Sequence, residues 1–190
     1  ALPISEIAEN IASILLDIKA IKLSPKNPFT WASGLRSPIY CDNRIALSFP
    51  DKRTYIKEQI VTTIKKNFTE VEVIAGVATA GIPQGALVAD MLGLPFVYVR
   101  SSTKSHGMTN KIEGKIEKGQ RVVVIEDLVS TGKSSLDAVD ALRAVDADVM
   151  GMVAIFTYGL DIAVDNFESK ECDLIALSDY NAMISKAVSE

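Results

Sequence analysis

Cysteine is scarce: Cys41 and Cys172 are the only two in 190 residues, and they lie far apart. Neither belongs to a C-x-x-C pair, so zinc binding and dithiol redox chemistry have no framework, and buried thiols in a reducing compartment are expected. An excess of positive charge is missing too. Twenty Lys and Arg stand against 24 Asp and Glu, for a net charge of -4. The broad electrostatic attraction that draws a basic domain to nucleic acid is therefore not expected, and any bound anion must be caught locally. Long apolar runs are lacking as well. Residues 73–89 carry no charge, but Gly76, Gly81, Pro83, Gln84 and Gly85 interrupt them, and the stretch is too short for a membrane span. Glu6, Glu9 and Asp17 break the N-terminal apolar pattern, which excludes the uninterrupted core of a secretion signal. The expectation is a cytoplasmic chain that uses neither membrane nor nucleic acid.

What the sequence does contain is aliphatic. Hydrophobic residues make up 48% and charged residues 23%, the balance of an ordinary globular protein. A chain of this length is expected to form one domain, residues 1–190, and to bury about 70% of its unfolded surface. Ile4, Ile7, Ile11, Ile14, Leu15 and Ile18 recur at helical spacing, which predicts an amphipathic helix over residues 3–20. From Lys22 to Ile45 that rhythm disappears. Gly34, Pro38 and mixed aromatic and polar residues predict short strands and turns there, a small hood formed mainly by residues 1–45. Pro50-Asp51 opens a second helix, reaching about Phe68. Then short apolar strands alternate with helices over a core of about residues 50–180: "VEVIAGV", a helix from Ile82, "PFVYV", a polar loop, "RVVVIE", a helix from Lys133, "VMGMVAIF", "CDLIALS" and a terminal helix. The fold class predicted is α/β, a Rossmann-like parallel sheet flanked by helices. Such sheets bind ligands at the carboxyl ends of their strands.

Two loops occupy that position. In "RVVVIEDLVSTGKSS" the triplet Gly132-Lys133-Ser134 suggests an ATP-binding loop, whose pattern is G-x-x-x-x-G-K-[ST]. Asp127 stands where that pattern needs its first glycine, and a carboxylate there would repel a chain of phosphates. Ser130, Thr131, Ser134 and Ser135 instead offer hydroxyls at a helix start, and Gly132 permits close backbone approach, which suits a single phosphate monoester. Glu126 and Asp127, just upstream, can accept hydrogen bonds from paired sugar hydroxyls, directly or through a metal ion. A ribose 5-phosphate has both features. Taken alone, the serines and threonine are equally compatible with simple helix capping. The second loop, "GVATAGIP", could bind pyrophosphate through its amides or merely pack a strand tightly against a helix. Arg100, Lys104 and His106 lie in a polar loop, "VRSSTKSHGMTNKIEG", where scattered cations could equally be solvated decoration.

"VVVIEDLVSTGKSS" resembles the phosphoribosyl diphosphate signature of the type I phosphoribosyltransferases. The resemblance implies their fold and several roles. Glu126 and Asp127 would hold the ribose hydroxyls, and Leu128, Val129, Ser130, Thr131, Gly132, Lys133 and Ser134 would hold the 5-phosphate. Ala78, Thr79, Ala80 and Gly81 would form a pyrophosphate loop, with a non-proline cis peptide expected between Ala78 and Ala80. Arg100, Lys104 and His106 match that family's R-x-x-x-K-x-H loop, and with Asp127 are the implied catalytic residues. "NPFTWASGLRSPIYCDNR" resembles the hood of the orotate-specific branch, implying that Phe29, Thr30, Tyr40 and Ser130 contact orotate and that Lys22 contacts phosphate. The same resemblance implies Mg2+ as cofactor, held mainly by the substrate with Asp127 as the candidate protein ligand. It also implies a homodimer whose catalytic loop closes over the partner's site. A relative acting on a purine base and a non-catalytic sensor of phosphoribosyl diphosphate are the alternatives. The chain departs from some members at Ala80 and Ser101, where they carry cations, and at "FTYGLDIA", which lacks their arginine.

Overall fold

A computed structural model describes residues 5–31, 34–101 and 111–189. Helix α1, Glu6–Asp17, is capped by Ser5, whose side chain accepts from the Ala8 amide, and it presents the fully buried Ile11 and Leu15 to α6 and β10. The predicted hood follows as two small antiparallel pairs. Strand β1, Ile21–Leu23, pairs with β4, Ile39–Cys41, and β2, Phe29–Thr30, pairs with β3, Arg36–Ser37. A 3-10 helix over Asn43–Ser48 leads to α2, Pro50–Asn67, which begins with proline at a position where no amide partner is needed.

The core then alternates β5 (Val73–Val77), α3 (Gly81–Leu92), β6 (Phe96–Val99), β7 (Ile112–Glu113), β8 (Arg121–Val129), α4 (Lys133–Arg143), β9 (Asp148–Thr157), α5 (Asp161–Ser169), β10 (Leu174–Asp179) and α6 (Tyr180–Ser189). The sheet order is β10-β9-β8-β5-β6-β7, parallel except for the short edge strand β7. Apolar runs without alternation are explained by burial on both faces. Val123 and Ile125 pack with Ile56, Ile60, Ile64 and Val88 on one side of the sheet. Val122 and Val124 pack with Leu136, Val139, Leu142 and Phe167 on the other.

Three elements differ from the sequence reading, the first being the short β7, which lies inside the polar loop. Strand β8 does not end at Glu126 but continues through Val129, paired with β9 as far as Val129↔Thr157. Glu126 and Asp127 are therefore strand residues, and the loop proper shrinks to three residues before α4 begins at Lys133. Helix α5 was not expected at all. Both cysteines are free and buried, as expected. Among the described residues no helix is long and apolar enough to cross a membrane.

Candidate active site

The centre of the sheet brings both strand-to-helix loops together. Adjacent parallel strands β5 and β8 end side by side, with Gly76 opposite Ile125. The β5 loop is shaped by backbone contact. A Cβ on Gly76 would lie 2.8 Å from the Gly81 carbonyl oxygen, and one on Gly81 would lie 2.6 Å from the Ile125 carbonyl oxygen. Glycine is required at both points, so tight packing is real, and it sets Gly81, at the end of the loop, against Ile125 and the Glu126 main chain. The peptide bond between Ala78 and Thr79 is cis. Ala80, where some family members carry a lysine, is the residue preceding α3 and brings no charge.

The β8 loop is shaped by side chains. Gly132 turns with φ of +80°, and a Cβ there would lie 2.7 Å from Cε2 of Phe167, so α5 presses on the loop from behind. Asn166 of the same helix donates its amide to the Thr131 carbonyl at 2.9 Å. The Val129 carbonyl accepts the Tyr158 amide and the Thr157 hydroxyl. Val129 is fully buried, so its side chain serves the core and only its main chain is available to a ligand. The Leu128 side chain packs against the core on the opposite face of the sheet. Lys133 and Ser134 are exposed in the first turn of α4.

Ser135 departs from its expected part. It is buried, and its hydroxyl lies 2.8 Å from Glu126 Oε2, so it faces the acid pair and not a phosphate. Glu126 is itself 5% exposed, and its other oxygen accepts the Asp127 amide at 3.0 Å. Burial raises the Glu126 carboxyl well above the ordinary carboxylate range, and the neighbouring Asp127 charge raises it further. Asp127 is raised by burial as well, although hydrogen bonds oppose the shift. Of the two acids it is Asp127 that keeps partial exposure. The pair is thus unequal.

Arg100 sits at the base of the polar loop, its amide donating to the Lys111 carbonyl and its guanidinium 3.3 Å from Glu113. A small cavity of about 40 Å³ joins Arg100 and Ser101 to Val77, Ala78, Ser134 and Asp137, so both loops and this arginine converge. Lys104 and His106 lie outside the described residues. Two larger depressions, of about 440 and 540 Å³, lie along α5; the second shares Asp137 with the small cavity and is bordered by Thr131 of the loop and Lys133 of α4.

In the hood, Phe29 and Tyr40 pack with ring centres 5.7 Å apart, Lys22 stands opposite Tyr40 in the β1–β4 pair, and Thr30 is exposed. Trp31 stacks on Tyr158 at 4.1 Å and donates to the Ile39 carbonyl. The segment lacking an arginine is thereby occupied by an aromatic clamp. Sequence reasoning also missed Asn43, which is buried and donates to the Asp127 carbonyl at 2.7 Å. No local pattern signals a contact between residues so far apart in the chain.

Comparison with known proteins places this geometry. Residues 53–187 match the family described as "Phosphoribosyl transferase domain". The chain is 58% identical to the orotate phosphoribosyltransferase of Streptococcus mutans, over 95% of this chain and 87% of that one. It is 56% identical to the orotate phosphoribosyltransferase of Porphyromonas gingivalis, over 94% of this chain and 85% of that one. The crystal structure of orotate phosphoribosyltransferase from Aeropyrum pernix superposes with a TM-score of 0.84 at 26% identity, covering 95% of this chain and 99% of that one. A central parallel sheet with two strand-to-helix loops side by side at its carboxyl edge agrees with these likenesses, and the chain belongs to the orotate phosphoribosyltransferase family.

Proposed function

We propose that this chain transfers ribose 5-phosphate from phosphoribosyl diphosphate to orotate, giving orotidine 5'-monophosphate and pyrophosphate. The observation that carries the reading is the juxtaposition of the β8 acid pair and its loop with the glycine-shaped β5 loop. Amides of residues 130–134 point from a helix start toward a 5-phosphate, and Asp127 accepts from the ribose hydroxyls. Glu126, deeply placed, holds the Asp127 amide and steadies that acid. Residues 78–81 receive the leaving pyrophosphate through main-chain amides.

As the bond from C1 to the diphosphate breaks, negative charge grows on the departing oxygens and positive charge on the ribose. Arg100, Lys104 and His106 stabilise the first, and the acid pair stabilises the second. Orotate, held by Phe29, Thr30, Tyr40 and Ser130 with Lys22 nearby, presents its ring nitrogen to C1. Among the described residues no three His, Cys, Asp or Glu side chains gather into a metal cage. This donor set suits Mg2+ carried mainly by the diphosphate, with Asp127 as the candidate protein ligand. Bound there it would offset charge on the leaving group.

The same reading includes a homodimer in which each catalytic loop completes the partner's site, in the cytoplasm. Two buried free cysteines are in keeping with a reducing compartment. Following orotate's ultraviolet absorbance with phosphoribosyl diphosphate and Mg2+ tests the activity. Loss of signal is expected; absence of loss, with hypoxanthine or adenine consumed instead, would move the assignment to a purine base. Lys104→Ala is expected to lower turnover by several powers of ten, and near-normal turnover would remove that residue from the chemistry.

A further inference from the structure

Asp127 is the residue on which the ribose reading turns, and although Glu126 and Leu128 on either side pair with β9, its own amide and carbonyl find side-chain partners on the side where β5 has ended. Pairing of β8 with β5 stops at Gly76↔Ile125, two residues earlier. Its amide donates to the Glu126 carboxylate at 3.0 Å, and its carbonyl accepts the Asn43 side-chain amide at 2.7 Å. Both polar groups of this peptide segment are therefore satisfied by side chains, one of them from the hood.

Asn43 is well placed for that task. It is 1% exposed and opens the 3-10 helix directly after β4, the strand that carries Tyr40. Asp42 anchors the turn by accepting the Arg44 amide and pairing with its guanidinium at 2.8 Å. A carbonyl can only accept, so Asn43 must aim its Nδ2 at Asp127, which turns its Oδ1 toward Cys41. The Cys41 thiol donates to that oxygen at 2.9 Å. Burial, with the charges of Asp127 and Asp42, pushes the thiol up and keeps it protonated as a donor. Tyr158 and Trp31 close the same side of the hood. Each heavy atom of the buried amide is used, and only one orientation of it works.

We propose that Asn43 is a positioning residue that fixes the Asp127 main chain to the base-recognising hood, so that the ribose-holding acid and the base site are carried as one rigid unit. This rests on the reading that Asp127 holds the ribose.

Asn43→Leu tests it, because the new side chain branches at the same carbon but has no group that can donate to the Asp127 carbonyl and adds no charge beside the acid pair. The expected result is a fall in kcat/KM for phosphoribosyl diphosphate of about tenfold or more, the scale of a lost buried hydrogen bond. In the reverse reaction kcat falls likewise, while KM for pyrophosphate stays within about twofold, since the hydrogen-bond partners of Asn43, Asp127 and Cys41, are not residues of the β5 loop. A merely structural role would not split the constants in this way. Should Asn43→Leu fail to fold, Asn43→Ser, whose hydroxyl is too short to span the gap, is read by the same split. Wild-type kcat/KM in a folded variant, or an equal loss in KM for pyrophosphate, would overturn the proposal. Asp127→Asn is measured alongside: if it too is unaffected, the ribose reading fails; if it alone is impaired, only the role of Asn43 fails.

Discussion

The two loops at the carboxyl edge of the sheet reach similar places by different means. In the β5 loop, Gly76 and Gly81 let backbone touch backbone, with virtual Cβ positions 2.8 and 2.6 Å from carbonyl oxygens. In the β8 loop the path is held by distant side chains: Asn43 and Asn166 on carbonyls, Ser135 on Glu126, Phe167 under Gly132. A loop shaped by sterics tolerates no added atom, whereas one shaped by hydrogen bonds loses function in smaller steps. The difference also suits the ligands. A diphosphate needs a fixed cradle of amides, while a ribose needs hydroxyl partners set at defined angles.

Substitution can break that contrast. Among substitutions in the two loops, Gly81→Ala is expected to have the largest effect, because the clash is with main chain that cannot turn aside. A cost of about 3 kcal/mol is expected from overpacking, and turnover should fall by about a hundredfold from displacement of the loop. Melting and steady-state rates check both. Gly132→Ala should cost less, about 1–2 kcal/mol from the left-handed conformation together with displacement of the Phe167 ring, a side chain that can shift where main chain cannot. Adding Phe167→Leu should return part of the loss, and no recovery would show that the ring is not the obstacle.

Glu126 offers a pH test. Its folded-state pKa is raised by burial, so the folded chain holds that proton more tightly than the unfolded one. Its contribution to stability is full below the ordinary carboxyl pKa and is lost as pH rises through the raised value. Without ligands, Glu126→Gln should therefore gain a few degrees in Tm over the wild type at pH 8 and little at pH 5, while turnover falls. A Tm difference that does not grow with pH would contradict the burial argument. Smallest of all, Asn166→Ala should cost about 1 kcal/mol and raise KM for phosphoribosyl diphosphate about fivefold, with kcat retained.

The same contrast explains what could be read from sequence. Strands β5 and β8 and helices α2, α3 and α4 were legible because residues such as Val122 to Ile125 are buried on both faces and leave an unmistakable apolar run. The small residues of the β5 loop announced close packing for the same local reason. Helix α5 was not legible: only Ala163 and Phe167 are buried, and Ile162 and Val164 are exposed, so its pattern has no clean face. Ser135 looked like one more hydroxyl among several, and only the fold reveals that it turns inward to Glu126. Asn43 was invisible because its partner lies 84 positions along the chain. Chemistry carried by a contiguous run shows in the sequence; chemistry positioned by residues from elsewhere does not.

A crystal structure with ribose 5-phosphate bound, solved for the homogeneous wild-type chain, tests the central claim most directly. The account predicts sugar hydroxyls within hydrogen-bond distance of the Asp127 carboxylate and phosphate oxygens on the amides of residues 130–134. A ligand seated instead in the depression between α4 and α5, with Asp127 untouched, would contradict it.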